Sequence, residues 1–295
     1  SQDSSAPVGF SKSYKIACTT ADSSPSAGDF CFLQHRIEGY DLQEMLKGTS
    51  GALHITLSFW VRSNLTGTFQ VNFQDNDNNR IIGQTYTISS ADTWEKKNLT
   101  FAGDTTGAFT NDANLSATIE FALGSGTDYS SGAVPTAWES HAGGTPDRSA
   151  GLTVNIASST SNTFYLTGVQ LEIGSNATEF EHKSFGEDLA RCHRYYQQSQ
   201  DYGTWGSANY VGLTAPVTNH RQWFPWYGGE MRTNPTVTIN AGTSGTSGAI
   251  RCSIDNVDLS TYSIHGTTIG GVLFGGGSAH ADHRSIYFYK AEAEL

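Results

Sequence analysis

The stretch "HITLSFWVR", residues 54–62, decides how this chain folds. Ile55, Leu57, Phe59 and Val61 alternate with His54, Thr56, Ser58, Trp60 and Arg62. A period of two marks a strand, because successive side chains leave a pleated backbone on opposite sides. The pattern recurs in "TFQVNFQ" (68–74), where Phe69, Val71 and Phe73 alternate with Gln70, Asn72 and Gln74. In "ATIEFAL" (117–123), Ala117, Ile119, Phe121 and Leu123 alternate with Thr118, Glu120 and Ala122. Each run therefore has one core face and one polar face. With strand-like runs at 13–19, 30–38, 80–88, 95–101 and 163–173, eight strands are expected, which predicts a two-sheet jelly roll or related sandwich.

Beyond residue 182 the pattern changes. In "SFGEDLARCHRYYQQ" (184–198), Ser184 precedes Glu187 by three positions, the spacing of a capping box at a helix start. Phe185, Leu189, Cys192 and Tyr196 follow at helical spacing and form one apolar stripe, expected to be buried. A second β pattern then begins, clearest in "TNPTVTI" (233–239) and "HRSIYFYKAEAEL" (283–295). The expected fold class is all-β. An N-terminal jelly-roll β-sandwich (1–182) is joined by a short connecting helix (183–200) to a smaller C-terminal β-sandwich domain (201–295), given to oligomerisation or receptor contact.

The 295 residues carry a net charge of −11, which repels phosphate backbones and anionic lipid and argues against nucleic-acid partners. No apolar run reaches the length of a membrane-spanning helix, so membrane insertion is not expected. No basic-then-apolar leader opens the sequence, and the missing initial Met leaves its N terminus open. Four scattered cysteines form no disulfide framework. Cys18 and Cys31 flank a turn-rich segment and either pair across two strands or remain free, whereas Cys192 is expected to be a buried thiol. The N-x-S/T matches at Asn64, Asn98, Asn114 and Asn176 are the number that chance yields in so Ser- and Thr-rich a chain.

Sugar recognition needs flat aromatic rings for the C–H faces of pyranoses, with amides and carboxylates nearby for hydroxyls. Trp60, Gln70, Asn72, Gln74 and Glu120 meet that description if they share a polar sheet face. The alternative is a face covered by a loop or a neighbouring subunit. Tyr129 and Trp138 lie in a long polar loop, 124–152, and either contact a ligand or pin the loop. In "WFPWY" (223–227), part is expected in a core and part exposed or at an interface. "DNDNNR" (75–80) is read as a strand-connecting turn, since it lacks the Gly and Glu of an EF-hand. No nucleophile elbow, H-E-x-x-H or phosphate loop occurs, and no catalytic residue is assigned. Glu139 and Asp147 are the weakest alternative, as a glycosidase acid and base. His280 and His283, three apart, are read as part of a turn rather than as metal ligands.

The segments "GFSKSYKI", "LSFWVRSNLTGTFQVNF" and "TWEKKNLTF" precede "FYLTGVQLEIGSNATEFEHKSFGEDLARCHRYY". In this order they resemble a module found in tail-fibre and other virion proteins of marine tailed bacteriophages, over about residues 8–198. "GGEMRTNPTVTI" and "AEAEL" resemble that family's end. The resemblance implies a jelly roll similar to carbohydrate-binding modules. It also implies a place on the virion exterior as tail fibre or capsid appendage, a homotrimer with other virion proteins as neighbours, and host-surface carbohydrate as partner. A structural decoration protein and, less so, a polysaccharide depolymerase are the alternatives. No cofactor is expected beyond a structural calcium, without assigned ligands, of the kind such jelly rolls hold.

Overall fold

The computed structural model describes residues 1–295 except 142–145, 200–210, 216–219, 242–246, 253–257, 260–261, 277–282 and 295. The chain divides into residues 1–181 and 182–294. In the first unit, β1 (Gln2–Asp3), β2 (Ser13–Ala17), β3 (Phe30–Glu38), β4 (Ile55–Ser63) and β5 (Gly67–Asp75) are followed by β6 (Arg80–Ile88), β7 (Glu95–Phe101), β8 (Leu115–Ser125), β9 (Glu139–Ser140) and β10 (Thr163–Ile173). They form two antiparallel sheets, β1-β2-β10-β4-β7 and β3-β8-β5-β6-β9, and the unit is a jelly-roll sandwich.

The alternation explains the core. Leu57, Phe59 and Val61 of β4 meet Phe69, Val71 and Phe73 of β5 and Phe121 and Leu123 of β8, all at most 2% exposed. The Phe59 ring stands edge-on to Tyr86 and Phe121, with centroids 5.1 and 5.2 Å away. Each such side chain contributes about 1.5–3 kcal/mol by leaving water. The turn 76–79 closes the β5–β6 hairpin, with Asp75 opposite Arg80 and Asn79 at φ 52°, as the turn reading anticipates. On β10 the register against β4 slips between Thr167 and Gln170. Gly168 there has φ 58°, and a Cβ would meet the Phe10 ring at 2.6 Å, so only glycine suits this bulge.

The second unit begins with helix α2 (Phe185–His193), numbered after the short α1 (Thr127–Ser130) of the first unit. Its strands are β11 (Tyr196–Gln198), β12 (Val211–Ala215), β13 (His220–Pro225), β14 (Thr236–Ala241), β15 (Ile250–Cys252), β16 (Asp258–Leu259), β17 (Tyr262–Thr268), β18 (Gly271–Gly276) and β19 (His283–Glu292). The long β19 pairs with β11, β12, β14 and β15, while β13, β18 and β17 form a second sheet. Trp226, Met231, Ile239, Val272 and Tyr289 fill the core between them. Of "WFPWY", Trp226 is thus core, while Trp223 and Tyr227 are 45% and 75% exposed.

The helix corrects one expectation and meets another. The capping box is present: Glu187 N–H donates to Ser184 Oγ (3.3 Å), and Ser184 N–H to Glu187 Oε2 (2.9 Å). The stripe, however, is not buried. Phe185 is 81% and Leu189 39% exposed, Cys192 is exposed, and Tyr196 belongs to β11 because the helix ends at His193. Helical spacing shows that a stripe exists; what covers it is a separate fact. His280 lies outside the described residues, and His283 starts β19.

Candidate functional site

The polar faces of the two sheets point away from the shared core, so Trp60 on β4 and Gln70, Asn72, Gln74 and Glu120 on β5 and β8 lie on opposite sides of the sandwich. The expected shared site does not form. Gln70, Asn72 and Glu120 are 0% exposed and Gln74 5%, because the loop between β8 and β10 lies over them. Gln70 Nε2 donates to the Asp147 carbonyl and Asn72 Nδ2 to the Arg148 carbonyl, both at 2.7 Å, and Gly151 N–H donates to Gln70 Oε1 (2.7 Å). Arg148 grips Glu120 with two guanidinium nitrogens, Nε at 2.9 Å from Oε1 and Nη2 on Oε2. Gln34 Nε2 (2.6 Å) and Gln74 Nε2 (3.1 Å) donate to the same carboxylate. Buried polar groups are tolerable only when satisfied, and here each amide's partner lies in the loop or the same network. These four residues clamp a loop and offer no surface to a ligand.

Trp138 is a pin in the same loop. Its Nε1 donates to the Ala102 carbonyl (2.6 Å), and its ring stands edge-on to Phe73 of the core at 5.9 Å. Nearby, β9 adds Glu139 and Ser140 to the edge of β6, and Gly83 N–H donates to the Pro135 carbonyl (2.7 Å). Burial and a hydrogen bond with Asp147 raise the Glu139 carboxyl above the usual carboxylate range. Glu139 is exposed on the sheet edge, whereas Asp147 is buried at 6% exposure.

Tyr129 has a different place. It leaves α1 at the rim of the covered face, where β3 forms the sheet edge. Phe30 and Phe32, alternate residues on β3, stack at 5.2 Å, and Tyr129 stands edge-on to both at 5.3 and 5.6 Å. The Arg148 guanidinium lies 4.5 Å from the Phe32 ring and 5.4 Å from that of Tyr129. Since Glu120 neutralises it, the three rings form a platform without net charge. Phe30 is 60% exposed. Next to it opens a cleft of about 300 Å³ lined by Ser23, Ser125, Ser130, Thr153 and Asn155 with Pro25, Leu152 and Val154, none charged. Ser125 is the register partner of Phe30, and Ser130 follows Tyr129 in α1, so the platform and the cleft adjoin. Sequence reading missed Phe30 and Phe32, although "FCFLQHRIE" places both on one face with Gln34 and Arg36.

Trp60 is half-buried on the other sheet, with its Cδ1 3.2 Å from where a Gly168 Cβ would be. Its cross-strand neighbours are Thr167 and Lys96. Farther along that face Arg62 and Lys15 lie 5.1 and 5.3 Å from the Tyr165 ring. Asp92 and Asp3 pair with these two cations. Cys18 and Cys31 are both free thiols and form no bridge. Burial, then the nearby Cys18, pushes the Cys31 thiol up.

Neither protein-family profiles nor curated proteins give a match to this chain. Among solved structures it is similar to one described as "CBM4 structure and function", at 13% identity over 58% of this chain and 87% of that one, with a TM-score of 0.28. It is also similar to wild-type discoidin II of Dictyostelium discoideum (9% identity, 82% and 72% covered, TM-score 0.22) and to the PBSX exported protein XepA (8%, 95% and 86%, 0.21). Likeness at this level carries no functional argument, and the fold rests on the strands described above.

Proposed function

We propose that this chain is a non-enzymatic glycan-binding protein of a bacteriophage virion, a tail fibre or similar appendage. The single observation that carries the binding reading is the platform of Phe30, Phe32 and Tyr129 beside an uncharged, hydroxyl-lined cleft. Exposed rings stack on the C–H faces of a pyranose, and hydroxyls and amides meet its hydroxyls. Because the cleft lining carries no cation, the ligand is a neutral sugar at the end of a host-surface glycan rather than a sialic or uronic acid. The virion assignment rests on the segments from 9–16 to 164–196 that resemble phage virion proteins. Screening on a glycan array tests the reading: neutral glycans should be retained, acidic ones not, and no reducing ends should be released. Absence of binding to any glycan or to host lipopolysaccharide overturns it.

The exposed stripe of Phe185, Leu189 and Cys192 favours a second role, contact between copies in a homotrimer or with other virion proteins. Sedimentation of the intact chain distinguishes a trimer from a monomer. A structural decoration protein would show that contact and no glycan binding.

A further inference from the structure

The resemblance to carbohydrate-binding jelly rolls implies a structural calcium, and the oxygens that such an ion would need are gathered in one place. Asp75 ends β5, Asp104 follows β7, and the carbonyls of Thr106 and Gly107 turn toward the same point. What stands there is Lys47. Leu46, at φ 52°, turns the chain out of a short helical segment (Gly39–Met45) so that Lys47 enters the protein. Its side chain is 2% exposed. Nζ donates to Thr106 O and Gly107 O, each at 2.8 Å, contacts Asp75 Oδ2, and lies 3.2 Å from Asp104 Oδ2. The rings of Phe109 and Trp138 flank it at 5.1 and 5.2 Å.

The remaining valences are also taken. Arg80 Nε holds Asp104 Oδ2 (2.6 Å), and Asn78 Nδ2 reaches Asp75 Oδ2 (2.9 Å). Two carboxylates therefore face two cations, and the cluster is neutral. Burial by itself raises the Asp104 carboxyl, but hydrogen bonds from Arg80, the Thr106 backbone and Lys47 leave it below the usual carboxylate range. Among the described residues no group of three or more His, Cys, Asp or Glu is arranged to hold a metal. A divalent ion does not fit beside an ammonium that already occupies the oxygens.

We propose that the Lys47 ammonium is a tethered substitute for a structural cation, and that removing it uncovers a calcium site made of Asp75, Asp104, Thr106 O and Gly107 O. Calcium takes six to eight oxygens at 2.3–2.6 Å, so four from the protein leave room for water where the lysine stem now lies. The native module accordingly needs no calcium, and its ligand binding is indifferent to chelators.

The test compares the intact protein with Lys47→Ala in EDTA and in millimolar calcium chloride, by thermal unfolding and by terbium luminescence excited through Trp138. The native melting temperature should not move between the two solutions. Lys47→Ala in EDTA should melt about 10 °C lower, since a buried charge loses its partner. Calcium should restore most of that loss, and terbium should emit with the variant only, the signal disappearing when Asp75→Asn is added. A native protein destabilised by EDTA overturns the proposal. So does a Lys47→Ala chain that gains nothing from calcium, including one that stays unfolded with calcium present. Either result leaves the glycan reading untouched, because that reading is tested by sugar binding alone.

Discussion

The two outward faces of the first sandwich start from the same sequence pattern and end in different states. On β5 and β8 the polar residues are sealed under loop residues 147–151, each amide satisfied by that backbone or by the Glu120–Arg148 pair. On β4 and β10, Trp60, Arg62 and Thr167 are only partly covered. Alternation assigns a side chain to a face, and only a distant segment decides whether that face meets water. The covering loop does one thing more. By carrying Tyr129 to the rim, it completes with Phe30 and Phe32 the aromatic surface that the sealed face no longer provides.

The largest expected effect comes from Glu120→Ala, which leaves the Arg148 guanidinium and the Gln34 and Gln74 amides without their carboxylate acceptor. Removing one partner of a buried ion pair costs about 3–5 kcal/mol. Urea unfolding should read that loss, whereas Lys96→Ala on the opposite face should change stability by under about 0.5 kcal/mol. Equal effects would mean that the two faces do not differ. Next is Trp138→Phe, which keeps a ring against Phe73 but loses the bond to Ala102 O, a cost of about 1 kcal/mol. Limited proteolysis should then cut the loop faster and leave β4 and β7 intact. Ser184→Ala removes the cap of α2 and should also cost about 1 kcal/mol. Leu189→Asp should leave the isolated chain's melting temperature unchanged and weaken only assembly, since that side chain already meets solvent.

The smallest effect is a pH dependence. Glu139 has its folded pKa raised, by burial and by Asp147, so its contribution is complete below the unfolded value of about 4.3. That contribution is lost as pH rises through the raised folded value. Glu139→Gln removes the titrating group and should flatten this loss, seen as loop protection from protease that no longer falls with pH across the carboxylate range. A wild-type loop equally protected at both ends of that range contradicts the pairing.

The strands β4, β5 and β8 were legible because each carries its own period-two signal, and the helix start because Ser184 and Glu187 are three residues apart. The seal was not legible. Its partners, such as Gln70 with Asp147 and Gln34 with Glu120, are 77 and 86 residues apart, and no local pattern couples them. Lys47 is a similar case, since no local pattern marks it and only the fold brings Asp75, Asp104 and two carbonyls to it. Phe30 and Phe32 were within reach, because two aromatics share one face of an edge strand with Gln34 and Arg36.

The loop closes one face and carries Tyr129 to its rim, where we propose that glycan binds. Isothermal titration of one neutral glycan into the native chain, Phe30→Ala, Tyr129→Ala and Trp60→Ala tests it most directly. Losing one stacked ring is worth about 1–2 kcal/mol, so the first two variants should bind roughly tenfold more weakly while Trp60→Ala binds as the native chain does. Undiminished binding by Phe30→Ala and Tyr129→Ala together with loss in Trp60→Ala would contradict the account and move the site to the opposite sheet.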